Sequence, residues 1–449
     1  FEEGRNRKEM KKVSFITLGC KVNQYDTQAM EKAFTDRGYS IVPVGEGPDA
    51  VVVNTCTVTA EADRKSRQMI RRAAKANPGA IVVAAGCFVQ GDPEAAEAIE
   101  GVSIVAGSTN RLALVDAVDR QLGVSEAQTR RRNLVKDIFS FGSYEEMKAE
   151  GADGMSRAYL KIEDGCDAYC SYCLVPYVRG HVRSRGLGPI EEEASRLADA
   201  GYLEVVLTGI HLGCYGKDLS GVSLADAIRA AARPSGIKRV RLSSLEPTEL
   251  TDDIIELFAN EPKLAKHLHL PLQSGDDSVL KSMNRHYDAK GYEAAVEKAR
   301  AAIGRFGLTT DIIAGFPGET ERMFANTLSL VERMGFLKVH AFPYSRRKGT
   351  IAAGLPGQVS EDVKHDRVAR LMEASKQGAR EFIEGMEGGV FDVIVESAIP
   401  TGNGFECEGY TSEYVRVLFR SESRPEGRVY VNVTSVGPEG ARGAIIEQR

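Results

Sequence analysis

Hydrophobic and polar positions alternate in short blocks over the first 125 residues. The apolar runs 13–18, 50–53 and 81–85 read as buried strands, each followed by a polar or glycine-rich break. Between them, 25–37 and 61–76 carry helical spacing and stop at Gly38 and at Asn77-Pro78-Gly79. A strand at 103–106 and a helix at 112–122 complete the set. Such alternation predicts a doubly wound parallel α/β sheet with helices on both faces. From Ala158 it resumes, with strand-like runs at 158–162, 204–207, 240–243, 267–272, 308–313 and 338–344. Helical patterns such as 189–200, 250–258, 292–303 and 319–334 lie between these runs. Six such units predict a partial (β/α)6 barrel, whose chemistry sits at the C-terminal ends of its strands. After a helix at 360–385, the runs 391–396, 414–419 and 429–433 are separated by Gly, Ser and Pro turns and predict a small antiparallel β-barrel. The pattern divides the chain into an N-terminal domain (11–125), a connector (126–152), a central barrel (153–386) and a terminal barrel (387–449).

Composition narrows the class. With 43% hydrophobic residues the chain can bury real cores. No apolar run reaches the roughly 18 residues of a membrane span. The first twelve residues are polar and charged, without the apolar stretch of a secretion signal, so the expectation is a cytoplasmic protein with no membrane partner. A net charge of −5 means that any nucleic-acid contact must come from local patches. Candidates are the basic helix Arg64, Lys65, Arg67, Arg71, Arg72 and Lys75 and the trio Arg346-Arg347-Lys348, although a basic run is often only a solvated face. Arg130-Arg131-Arg132 reads as a solvated part of the connector.

Eight cysteines in a long chain without a secretion signal point to metal rather than disulfides. Cys166, Cys170 and Cys173 form C-x3-C-x2-C just after the first strand of the predicted barrel. One loop of this kind can wrap an iron–sulfur cubane with three thiolates, which leaves one iron open to a small molecule. A structural zinc site would need a fourth ligand, and only His181 and Cys214 lie within reach in sequence. Cys20, Cys56 and Cys87 each fall within a residue or two of a predicted strand's C-terminal end, where an open α/β sheet binds its ligands. They read as converging on a second cluster with an open iron. Cys214 and Cys407 read as packed thiols, and His211 and His286 as ordinary polar or core residues.

The motifs together identify the chain as a member of the methylthiotransferases of the radical S-adenosylmethionine (SAM) superfamily. They are Leu-Gly-Cys-Lys-Val-Asn-Gln-Tyr-Asp-Thr (18–27), Asn-Thr-Cys-Thr-Val (54–58), Ala-Gly-Cys (85–87), Gly-Cys-Asp-Ala-Tyr-Cys-Ser-Tyr-Cys (165–173), Leu-Pro-Leu-Gln-Ser-Gly (270–275) and Asp-Ile-Ile-Ala-Gly-Phe-Pro-Gly-Glu-Thr (311–320). The terminal module resembles the TRAM domain, a small RNA-binding β-barrel. The resemblance implies two [4Fe–4S] clusters with SAM as radical source and methyl donor. Cys166, Cys170 and Cys173 would hold the SAM-cleaving cluster, and Cys20, Cys56 and Cys87 the auxiliary cluster that carries sulfur. SAM contacts are expected at Tyr172, Gly209, Ser243, Glu246, Gln273, Gly315 and Pro317. The implied partners are the tRNA anticodon stem-loop, an electron donor such as flavodoxin or ferredoxin, and a sulfur source. Lys21-Val22-Asn23-Gln24 after the first cysteine resembles the branch that methylthiolates C2 of N6-threonylcarbamoyladenosine, rather than the branches acting on isopentenyladenosine or on a ribosomal protein. A non-catalytic iron–sulfur RNA sensor is the reading from a different class.

Overall fold

The computed structural model describes residues 10–123, 131–151, 156–425, 427–437 and 440–448. The chain forms two compact units: one runs to Glu150 and includes Gly165–Asp167 and Leu174–His181, and the other holds the remainder.

In the first unit, β1 (Lys12–Thr17), α1 (Lys21–Thr35), β2 (Ser40–Ile41), β3 (Ala50–Thr55), α2 (Ala60–Ala76) and β4 (Ile81–Gly86) come in sequence. The short helices α3 (Cys87–Gly91) and α4 (Pro93–Glu97), β5 (Val102–Ala106), α5 (Arg111–Leu122) and β6 (Arg132–Asn133) follow. All strands are parallel, in the order β2-β1-β3-β4-β5-β6. Every residue of β3 and β4 is buried, as expected of central strands covered on both faces. Val51, Val53, Val82 and Ala84 pack with Ile70 and Ala73 of α2, while α1 and α5 lie together against the sheet. The two-residue edge strands leave little backbone unpaired. One of them corrects the sequence reading: the connector contributes Arg132–Asn133 as a sixth strand, paired with Ile104 and Val105. Arg130 lies outside the described residues.

The second unit opens with β7 (Arg157–Lys161) and β8 (Glu163–Asp164); the chain passes through α6 (Val175–Arg179) before β9 (Arg183–Ser184). Then come α7 (Leu187–Asp199), β10 (Glu204–Thr208), α8 (Leu224–Ala232), β11 (Arg239–Leu242), α9 (Asp252–Asn260), β12 (His267–His269), α10 (Asp277–Ser282) and α11 (Ala289–Ile303). β13 (Gly307–Ala314), α12 (Glu321–Met334), β14 (Lys338–Pro343) and α13 (Glu361–Glu384) complete this part. The strands form two parallel triples, β7-β10-β11 and β12-β13-β14. The bridge between Ser244 and His269 and the hydrogen bond from Leu245 N to His269 O (3.0 Å) join them. Six parallel strands in chain order make the expected partial barrel. One core unites its strands and helices, from Leu160 and Val205 to Phe324 and Leu371.

The terminal module is a closed five-stranded barrel of β15 (Val390–Thr401), β16 (Gly404–Thr411), β17 (Arg416–Ser421), β18 (Arg428–Gly437) and β19 (Gly440–Gln448). The hydrophobic pattern had predicted three strands. The two it missed carry Gly409 and Gly443, where a side chain would fall onto the carbonyls of Ile394 and Asn432. Close strand approach demands glycine there and breaks the apolar alternation. The module packs on the N-terminal end of the larger barrel. Arg157 pairs with Glu396, Arg239 with Asp392 (2.7 Å), and Arg241 reaches the Ser412 carbonyl (3.1 Å). Glu204 binds Arg239 and Arg241 in the same layer; burial pushes its carboxyl up, but Arg241 and Arg239 override that and hold it at about 2.

Candidate functional site

Cys20, Cys56 and Cys87 follow the C-terminal ends of β1, β3 and β4, three neighbouring strands of the sheet. The register fixes their level: Thr17 pairs with Asn54, and Thr55 with Gly86. Cys20 caps α1, Cys56 leaves β3, and Cys87 opens α3. Gly19 makes this possible. At φ +103° it takes a conformation that glycine favours, and a Cβ there would stand 3.0 Å from Cys56 Sγ. Asn23 braces the turn, donating to the carbonyls of Leu18 (2.7 Å) and Thr55 (2.9 Å).

Cys56 and Cys87 are buried and Cys20 is exposed. Burial pushes the Cys56 thiol up to about 11, and the neighbouring sulfurs of Cys87 and Cys20 push the same way. Held up in this way the thiol stays protonated in the metal-free protein and gives its proton up to a metal, and soft sulfur donors suit iron. This donor set fits an iron–sulfur cluster. A buried guanidinium also attends it: Arg179 Nε donates to Cys87 Sγ at 3.1 Å.

The C-x3-C-x2-C loop is held by backbone geometry. Gly165, at φ +98°, leaves room for the His181 carbonyl, and Cys166 N donates to Gly180 O (2.9 Å). Further along, Cys173 N donates to Cys170 O (2.9 Å), Ser171 N to Met283 O (3.0 Å) and Asn284 Nδ2 to Tyr169 O (3.1 Å). Arg285 Nη1 donates to Cys170 Sγ at 3.2 Å while the same guanidinium pairs with Glu246. The loop thiols are half-buried, so they remain reachable.

The expected SAM positions gather at the C-terminal end of the (β/α)6 strands. Gly209 follows β10, Ser243 follows β11, Gln273 lies beyond β12, and Gly315 follows β13 with Pro317 buried close behind. Gln273 and Gly315 hold φ of +63° and +75°. Tyr172 packs beside Met283, Phe316 and Tyr344. Glu246 is the exception in kind, since its carboxylate already serves Arg285. A side chain at Gly209 would meet the carboxyl of Glu163, a fully buried group that burial pushes up to about 8.

Sequence reasoning missed several partners. Arg179 and Arg285 sit in no recognisable spacing. Cys214 is buried as expected but not inert in its contacts: His211 Nδ1 lies 3.3 Å and Lys217 Nζ 3.1 Å from its sulfur. Glu249 lies 2.7 Å from the other His211 nitrogen, so the half-buried His211 links Cys214 to a carboxylate. On α2, Arg64, Lys65, Arg71, Arg72 and Lys75 are exposed, while Arg67 lies over the Phe88 ring. Arg64 already pairs with Glu61. Of the second basic trio, Arg346 and Lys348 are exposed but Arg347 is buried.

A parallel (β/α)6 barrel with a three-cysteine loop after its first strand is radical-SAM architecture, and residues 160–331 match the family model described as Radical SAM superfamily. Residues 12–107 match the model described as Uncharacterized protein family UPF0004. The chain is 39% identical over 422 residues to the threonylcarbamoyladenosine tRNA methylthiotransferase MtaB of Bacillus subtilis (strain 168), covering 94% of this chain and 93% of that protein. It is 36% identical over 392 residues to the tRNA-2-methylthio-N(6)-dimethylallyladenosine synthase of Clostridium botulinum, covering 85% of each. Among solved structures, the radical S-adenosylmethionine methyltransferase TsrM from Kitasatospora setae shares the fold, with a TM-score of 0.55 at 15% identity, over 77% of this chain and 74% of that one. The chain belongs to the radical-SAM methylthiotransferase family. Membership implies SAM and a [4Fe–4S] cluster. No helix among the described residues is long and apolar enough to cross a membrane.

Proposed function

We propose that this enzyme methylthiolates C2 of N6-threonylcarbamoyladenosine next to the anticodon in tRNA, with one [4Fe–4S] cluster on each cysteine trio. The observation that carries the reading is the convergence of Cys20, Cys56 and Cys87 at three adjacent strand ends, in a chain that also carries a radical-SAM barrel with its own three-cysteine loop. The substrate branch is supported by Lys21-Val22-Asn23-Gln24 and by the likeness to MtaB. When bound, the clusters and SAM supply the radical, sulfur and methyl chemistry. The chain supplies position: Cys166, Cys170 and Cys173 hold one cluster with an open iron, and Cys20, Cys56 and Cys87 hold the other. Tyr172, Gly209, Ser243, Gln273, Gly315 and Pro317 border SAM, and Glu246 acts there through Arg285. The exposed basic face of α2 and the terminal barrel offer surfaces for the anticodon stem-loop, whose unstacked bases are accessible. An electron donor such as flavodoxin or ferredoxin and a sulfur source complete the reaction in the cytoplasm.

The likeness to the dimethylallyladenosine synthase supports isopentenyladenosine as the second reading. Nucleoside mass analysis separates them. Reconstituted protein is given SAM, sulfide and reductant under anaerobic conditions with tRNA bearing either modification. Methylthio gain on the threonylcarbamoyl nucleoside alone is expected; gain on the isopentenyl nucleoside alone overturns the substrate assignment. SAM cleavage without gain on either redirects the search to ribosomal protein side chains, and no cleavage at all leaves only the sensor.

A further inference from the structure

Arg179 is the last residue of α6, 1% exposed, and it uses all three guanidinium nitrogens within the first unit. Nε donates to Cys87 Sγ at 3.1 Å, Nη1 to Asp26 at 3.0 Å and Nη2 to Asn23 Oδ1 at 2.6 Å. Asn23 and Asp26 lie in the first turns of α1, the helix that Cys20 caps. One cation therefore ties the ligand at the end of β4 to the helix behind the ligand after β1. Asp26 is shared, since Arg111 Nη2 also binds it at 2.5 Å and Glu145 in turn holds Arg111. The positive charge at the sulfur is thus set by a built network.

We infer that Arg179 is a positioning residue that sets the reduction potential of the centre on Cys20, Cys56 and Cys87, with Asp26 as the counter-charge that tempers it. The inference rests on the two-cluster reading above. Hydrogen bonds and positive charge at a cluster's thiolates favour its reduced, more negative state and raise its potential; removing them lowers it. Arg179 is almost wholly buried and its Nε is spent on the thiolate, so its effect runs through Cys87.

The test is an EPR-monitored redox titration in the Cys166→Ala/Cys170→Ala/Cys173→Ala background, where only this centre remains. Arg179→Gln is expected to move the midpoint to more negative potential and Arg179→Lys to keep it nearer the parent. Asp26→Asn is expected to move it the opposite way, to less negative potential, because the guanidinium stays and its counter-charge goes. Disrupted packing would not reverse sign between the two neutralisations. Midpoints that ignore both substitutions, or that shift in the same direction, overturn the assignment while leaving two clusters intact. If Arg179→Gln fails to load iron, the sign of the Asp26→Asn shift decides. Absence of any second centre in the background protein overturns the two-cluster reading, and this assignment with it.

Discussion

The two cysteine trios are assembled by opposite routes. Cys166, Cys170 and Cys173 are neighbours in sequence, so a few backbone hydrogen bonds and one glycine are enough to shape their loop. Cys20, Cys56 and Cys87 are brought together only by the pairing of β1, β3 and β4. A local loop closes at small entropic cost, whereas the strand-end trio exists only while the sheet does. In each, nonetheless, a guanidinium reaches a sulfur, Arg179 at Cys87 and Arg285 at Cys170. A set of thiols can be local or global; in both cases here the guanidinium that reaches it comes from elsewhere in the chain.

The sharpest test of that contrast is functional. Cys170→Ala should reduce SAM cleavage to background, read as 5′-deoxyadenosine by mass spectrometry. Cys56→Ala should leave cleavage measurable and abolish methylthio transfer. Transfer surviving in Cys56→Ala would collapse the distinction between the two sites.

The next effect belongs to the loop's side alone. Glu163, three residues before Cys166, has its carboxyl raised by burial from 4.5 to about 8. Between those values the folded protein carries the proton and the unfolded chain does not, so stability falls as pH rises, at up to about 1.4 kcal/mol per pH unit. Glu163→Gln should flatten that slope in urea titrations of cluster-free protein from pH 5 to 8. An unchanged slope would show that another group is responsible.

Arg285→Met should cost about 3 kcal/mol, because it strands the carboxylate of Glu246. The double variant Arg285→Met/Glu246→Leu should recover part of that loss in the same assay; a double variant no better than the single would deny that the two act as a pair. Smallest is Gly19→Ala, expected to cost about 2 kcal/mol from its φ of +103° and its crowding of Cys56. Iron content should fall toward one cluster per chain, with the EPR signal of the loop cluster unchanged. Equal loss at both trios would erase the local-versus-global distinction.

Much of this was legible from residue order. The buried runs of β3 and β4 and the amphipathic α2 announced a parallel sheet, and cysteines just past three strand ends announced a convergence. The six-fold alternation gave the partial barrel. What escaped detection depends on pairing between distant segments. Arg179 in Tyr177-Val178-Arg179-Gly180 has no periodic partner; its importance arises from Asn23, Asp26 and Cys87 in space. Glu249 reaches His211 and Cys214 from another loop, through a gap that Gly213 leaves open. β16 and β19 hid behind glycines that a tight barrel requires.

The charged layer around Glu204 bears on modularity. By topology the terminal barrel is a separate, closed object, yet Asp392 and Glu396 on β15 neutralise guanidiniums rooted in β11 and β7. The Glu413 carbonyl also occupies the space a side chain at Gly307 would need. Cutting the chain before the module would leave Arg239 and Arg157 without these counter-ions in a buried layer. The two barrels belong to one compact unit, and a graft or exchange of the terminal barrel among relatives would have to carry its acidic pair along with it.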